Sequence, residues 1–127
     1  MNDIRSKGLE TFREMIPGVL PEDANTMRDG EFGDELSDLS VDHVFAALWN
    51  RPGLDRRSRS LVTLGILIAL RADDELRFHF PIAVRNGLSI NELEEVVYHS
   101  AGYAGYPAAT AALKAARKAL RRDDEVS

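Results

Sequence analysis

DRRSRSLVTLGILIAL, residues 55–70, is the stretch of sequence that decides the fold class. Asp55 suits an N-cap position, because its carboxylate can accept hydrogen bonds from the free amides of a first helical turn. After that turn the apolar side chains leave no polar face on the helix; they are Leu61, Val62, Leu64, Ile66, Leu67, Ile68 and Leu70. A helix that is apolar all round must be surrounded by other structure. The stretch therefore predicts a central helix over residues 56–70.

Helical periodicity, separated by turn residues, predicts further helices on both sides of this segment. They are expected within residues 7–16, 34–50, 73–86, 89–104 and 107–122. Asp73 or Asp74 is expected to cap the fourth of the six helices, and Ser89 with Glu92 has the spacing of a capping box. Residues 21–33 are polar and rich in turn residues, which predicts a loop. No credible strand pattern appears, so the predicted fold class is all-α with about six helices.

Composition and charge exclude several classes of protein. The chain has 127 residues, of which 44% are hydrophobic and 29% charged, with a formal net charge of −5 and no Cys. We expect a single domain over 1–127, with a helix and loop in 1–33 and a helical core in 34–122. The acidic balance argues against nucleic-acid binding. No secretory signal is recognised, and the ten-residue apolar run 61–70 is too short to cross a membrane, so we expect a cytoplasmic protein.

The last predicted helix is rich in alanine and ends in basic residues. Seven alanines between Ala108 and Ala119 allow close helix–helix approach but bury little area each. Together with an entirely apolar central helix, this pattern favours a homo-oligomer that shares its core between subunits. The alternative is an intramolecular bundle in which Ala raises helix propensity. The basic residues, from Lys114 to Arg122, are expected to complement the negative end of the helix dipole.

Glu75 and His79 are the first candidate site residues, because a spacing of four places both on one face of a helix. A carboxylate there can orient an imidazole and raise its pKa, which would make a proton donor near neutral pH. Leu76 and Phe80 are neighbours that would keep the pair partly dry. The alternatives are a surface ion pair and a capping interaction.

His99, Tyr103 and Arg59 are weaker candidates. His99 and Tyr103 share a helical stripe with Glu92 and Glu95, so they form either a solvated face or a pocket wall. The guanidinium of Arg59 suits a substrate carboxylate, and the alternative is an ion pair with Glu75 or Asp74. His43, Phe45 and Trp49 are interpreted as structural residues.

Three motifs resemble the carboxymuconolactone decarboxylase family over roughly residues 49–120. The first is Arg51-Pro52-Gly53-Leu54-Asp55-Arg56-Arg57-Ser58-Arg59-Ser60-Leu61. The second is Asp74-Glu75-Leu76-x-x-His79, followed by Gly87, and the third is Tyr98-His99-x-Ala101-x-Tyr103-Ala104-Gly105-x-Pro107-Ala108. The resemblance implies an all-helical, alkylhydroperoxidase-D-like fold, assembly as trimers or hexamers, and a pocket between helices.

Alkylhydroperoxidase-D-like proteins of the same superfamily carry Cys-x-x-Cys-x-x-x-His on the helix that holds His79 here. Ala72 and Glu75 stand at the positions of the two thiols. Peroxide reduction of that kind needs a thiolate and a resolving partner. The sequence has no Cys, so a thiol peroxidase is excluded.

The resemblance implies a cofactor-independent decarboxylase acting on a small carboxylated lactone or a related intermediate of aromatic degradation. His79, Glu75 and His99 would be catalytic, and Arg59 and Tyr103 would bind substrate. The alternative is a non-catalytic helical oligomer that binds a small ligand or a protein. A metal site from Glu75, His79 and His99 is conceivable, but no ligand spacing supports it; no metal or cofactor is implied.

Overall fold

The computed structural model describes the backbone of residues 3–126 and the side chains of residues 3–120. Six α-helices and one π-helix account for most of this range. They are α1 (Asp3–Met15), α2 (Glu35–Ser40), the π-helix (Val41–Leu48), α3 (Arg56–Leu70), α4 (Asp73–Arg85), α5 (Ile90–Ala104) and α6 (Tyr106–Val126). Residues 3–126 contain no strand. The predicted all-α class is therefore confirmed.

Contacts group the chain into two compact units, Met1–Leu54 and Asp55–Ser127. The first unit is built from α1, α2 and the π-helix, and the second from the four helices α3 to α6. The expectation of a single domain over 1–127 stays a prediction.

The first unit buries an aromatic core between α1 and the π-helix. Phe12 and Phe45 meet edge to face with ring centroids 5.2 Å apart, and Trp49 is buried with them. Phe45 and Trp49 are thus structural, as expected. The buried carboxylate of Asp38 accepts hydrogen bonds from the hydroxyl of Thr26 at 2.5 Å and the backbone N–H of Met27 at 2.8 Å. These bonds fix the predicted loop to α2.

The segment 34–50 departs from the single helix that its periodicity predicts. It is α-helical only over Glu35–Ser40 and continues as a π-helix over Val41–Leu48. The wider turn is visible where the N–H of Trp49 donates to the carbonyl of Val44, five residues earlier, at 3.0 Å. Side-chain periodicity alone does not distinguish the two helix types over so short a segment, because each leaves one face apolar.

The second unit has its core where α3 meets α4, α5 and α6. Leu64 and Ile68 of α3, Leu76 and Phe80 of α4 are fully buried there. The predicted caps form: the carboxylate of Asp55 accepts the N–H of Ser58 at 2.7 Å, and Ser89 with Glu92 makes a complete capping box. Gly87, just after α4, has a positive φ of 106°, a conformation that glycine adopts without steric cost.

The expectation that α3 is surrounded is wrong for the single chain. Val62, Ile66 and Leu70 recur every four residues on one side of α3 and are 54%, 53% and 70% exposed. The neighbouring helices cover only the opposite side, which carries Leu64 and Ile68. These three side chains form an apolar stripe of α3 that is exposed in the single chain.

Two predicted helix ends are also wrong. Ala72, not an aspartate, occupies the N-cap position of α4, and no side chain caps that end. Asp73 and Asp74 instead lie in the first turn, where their negative charges interact favourably with the positive end of the helix dipole. Helix α6 continues to Val126, so the basic cluster from Lys114 onward precedes its C-terminal turn.

Among the described residues, no helix has the length and apolarity that spanning a membrane requires.

Candidate active site

Helix α4 places Glu75 and His79 on one flank of its buried ridge. The ridge consists of Leu76, Phe80 and Ala83, which anchor the helix in the core of the second unit. Glu75 precedes Leu76 and is exposed, whereas His79 precedes Phe80 and is half-buried. The ring nitrogen Nδ1 of His79 is itself buried. The carboxylate thus stands in water, while the imidazole lies at the edge of an apolar core.

Burial sets the protonation state of His79. Loss of water around the ring lowers its pKa below the usual 6.5, and the negative charge of Glu75 opposes this shift only in part. The prediction that Glu75 raises the pKa overall is therefore wrong for the single chain. The physical reason is that Glu75 is exposed, so solvent screens its charge, whereas the imidazole is desolvated. At neutral pH the ring is mainly uncharged, and it can donate or accept a hydrogen bond.

His99 and Tyr103 lie near the end of α5 with their rings 5.2 Å apart and tilted by 38°. Both are exposed, Tyr103 by 87%. Between the two open alternatives, the single chain shows a solvated face rather than a pocket wall. These side chains could line a closed site only if another surface covered them.

The arginines in the first turns of α3 divide between structural and candidate binding roles. Arg57 forms an ion pair with Glu92, the capping residue of α5, and so ties α3 to α5. Arg59 is half-buried in the first turns of α3. One carboxylate that was considered for Arg59, Asp74, pairs with Arg77 of its own helix at 2.6 Å.

The predicted site residues are only partly brought together. Glu75 and His79 interact electrostatically on α4, and His99 and Tyr103 are adjacent on α5. Within residues 3–120, no three carboxylate or imidazole side chains group closely enough to hold a metal ion.

A cleft that the sequence pattern did not predict lies between the start of α4 and the first turns of α6. It encloses about 770 Å³ and contains none of the predicted site residues. Its basic wall comes from Lys114 and Lys118, two of the basic residues that are expected from the sequence to complement the helix dipole. Their spacing of four on one helix face was the available signal.

This geometry defines a class of protein. It is a helical bundle with an exposed apolar stripe on α3 and a carboxylate–histidine pair at the edge of its core. The sequence profile of the Carboxymuconolactone decarboxylase family matches residues 34–118. The chain is 34% identical over 123 residues to a 4-carboxymuconolactone decarboxylase of Acinetobacter baylyi, covering 95% of this chain and 91% of that protein. It is 39% identical over 115 residues to a nitrosuccinic acid decarboxylase of Metarhizium robertsii, covering 90% and 79% respectively.

The chain belongs to the carboxymuconolactone decarboxylase family. The suspected resemblance is thereby confirmed, and the match begins at residue 34, at the predicted start of the helical core. The similarity to the Acinetobacter protein also extends into the first 33 residues, since it covers 95% of the chain.

Proposed function

We propose that the protein is a decarboxylase acting on a small carboxylated lactone or a related diacid. The observation that carries the proposal is the Glu75–His79 pair on α4, whose imidazole is half-buried, in a chain whose two relatives above are both named decarboxylases. One of those names specifies a carboxylated lactone and the other a nitro-substituted diacid.

The reaction breaks the bond between a substrate carbon and its carboxylate. CO2 leaves, and the bonding electron pair delocalises onto the electron-withdrawing group: as an enolate onto the carbonyl oxygen of a lactone, or in the same way onto the nitro oxygens of a nitro-substituted diacid. The enolate carbon then takes up a proton. Stabilising the enolate and delivering that proton are therefore the two tasks of the site.

His79 suits both tasks. As a neutral ring it donates an N–H hydrogen bond to the enolate oxygen. A bound substrate carboxylate adds a second negative charge beside Glu75, which raises the pKa of the ring toward the range of a proton donor. Arg59 would hold the carboxylate that is retained, and His99 with Tyr103 would supply further hydrogen bonds.

Self-association is part of the proposal, as a trimer or hexamer. In the single chain His99 and Tyr103 are exposed, and so is the apolar stripe of α3 formed by Val62, Ile66 and Leu70. A neighbouring subunit seated on the stripe would bury it. These side chains are already partly buried, so covering them contributes about 1–2 kcal/mol each, roughly half the value for burying a fully exposed aliphatic side chain.

The exposure of His99 and Tyr103 favours a second candidate function, a non-catalytic helical oligomer that binds a small ligand. The two functions are distinguished by CO2 release from a panel of carboxylated lactones and nitro-substituted diacids. The first predicts catalytic release from at least one compound. The second predicts saturable binding without turnover.

The decisive variant is His79→Gln, with His43→Gln as its control on the exposed surface of the π-helix. Loss of a general acid typically lowers the catalytic rate 10²–10⁴-fold, so we expect that loss for the first variant and an unchanged rate for the second. Glu75→Gln should cost less and should shift the pH optimum downward, because the opposing charge that raises the pKa of His79 is gone. Full activity per folded molecule in His79→Gln, with only a lower melting temperature, would contradict the catalytic assignment.

A further inference from the structure

The cleft between α4 and α6 carries positive charge in an acidic protein. Four cationic side chains and two carboxylates line it, an excess of two positive charges, whereas the whole chain has a net charge of −5. The cations are Arg71, Arg77, Lys114 and Lys118. A concave surface with one sign of excess charge concentrates ions of the opposite sign. The cleft is thus electrostatically suited to an anion.

The side chains of residues 3–120 leave most of this positive charge unneutralised. Asp74 is matched by Arg77 at 2.6 Å. Among the side chains of residues 3–120, Arg71, Lys114 and Lys118 form no ion pair. Three cations therefore face Asp73, the second carboxylate of the cleft.

Arg71 reaches the cleft from a strained position. It ends α3 in the left-handed conformation, with φ of 56°, and its N–H donates to the carbonyl of Ile68 at 3.1 Å. This conformation is costly for residues other than Gly. Glycine would adopt this conformation without strain, but it has no side chain. Arginine at this position places a positive charge in the cleft.

The cleft lies on a different flank of α4 from the candidate active site. Arg77 follows Glu75 by two residues, which on an α-helix is a rotation of about 200°. A ligand in the cleft is therefore held apart from the Glu75–His79 pair, by Lys114 and Lys118 on one wall and Arg71 on the other.

We propose that this cleft is a second anion site that binds a small di- or tricarboxylate. Its cations are spread over two walls, so they fit an anion whose charges are separated along a carbon chain better than a compact phosphate. Tyr106 also lines the cleft and is exposed there, so its phenol can donate to a carboxylate oxygen. Binding at this site does not depend on the proposed decarboxylation.

The test is calorimetric titration of the purified full chain with propane-1,2,3-tricarboxylate, and with inorganic phosphate at equal ionic strength. We expect one tricarboxylate site per chain and weaker binding of phosphate. Lys118→Gln should weaken tricarboxylate binding about threefold to fivefold, the effect of losing one exposed ion pair. Arg117→Gln is the matched control, because it removes the same charge from the neighbouring position of α6, outside the cleft.

Arg71→Gly sharpens the test because it separates ligand binding from stability. It should raise the melting temperature by relieving the left-handed strain, yet weaken tricarboxylate binding. Absence of tricarboxylate binding, tighter binding of phosphate, or equal weakening by Lys118→Gln and Arg117→Gln would each overturn the proposal. So would binding that His79→Gln abolishes and Lys118→Gln leaves intact. The CO2 assay is a separate measurement, so failure here leaves the proposed decarboxylation to stand or fall by itself.

Discussion

Gly8 is the position where a single methyl group should do the most damage to the first unit. Gly8 is buried on α1, where the helix crosses the start of the π-helix. A Cβ atom at this position would lie 2.4 Å from the carbonyl oxygen of Val41 and 2.6 Å from its Cγ1. Because the nearer atom belongs to the backbone, no side-chain rotation can relieve the contact. Gly8→Ala must push the two helices apart.

The magnitude follows from two opposing effects. Forcing a methyl group into a packed core costs about 1–3 kcal/mol, and replacing Gly by Ala within a helix regains about 1 kcal/mol. The contact with backbone places the cost near its upper end, so we expect a net loss of about 2 kcal/mol. Ser6→Ala, on the exposed surface of the same helix, is the control and should be neutral or slightly stabilising.

Urea unfolding followed by circular dichroism measures both variants against the parent chain. The double variant Gly8→Ala/Val41→Ala removes the Cγ1 contact but keeps the carbonyl, so it should not recover the lost stability. A Gly8→Ala chain as stable as Ser6→Ala would refute the close packing of α1 against the π-helix.

The other predictions concern pH and assembly. Burial lowers the pKa of His79 below 6.5 in the folded chain. Below pH 6.5 the unfolded chain therefore binds a proton that the folded chain does not. The free energy of unfolding should fall as the pH drops below about 6.5 and should level off below the pKa that His79 has in the folded chain. Urea titrations should show this decline flattened in His79→Gln and retained in the exposed control His99→Gln; an identical decline in both would contradict it. Light scattering should give the mass of an oligomer for the parent chain, and Ile66→Glu should reduce that mass. The control is Asn91→Glu, at an exposed polar position of α5, which should leave the mass unchanged. A monomer mass for the parent chain would contradict the self-association proposal.

The sequence by itself determined where most of the helices form and that thiol chemistry is absent. Apolar spacing and local caps such as Asp55 and Ser89 are interactions within one or two helical turns, so neighbouring residues suffice to encode them. The lack of Cys needs no structure at all. The same local rule placed Glu75 and His79 on one helix face, because four residues make about one turn.

The tertiary structure decided which surfaces are buried and which charges meet. An all-apolar pattern on α3 does not say which side its neighbours cover, and the packing leaves Ile66 exposed while Leu64 is buried. The pKa of His79 depends on how much water the surrounding helices remove, which outweighs the nearby charge of Glu75. The cleft joins Arg71 to Lys118, residues far apart in the chain. Burial and long-range charge proximity are sums over the whole fold, and local spacing carries no information about them.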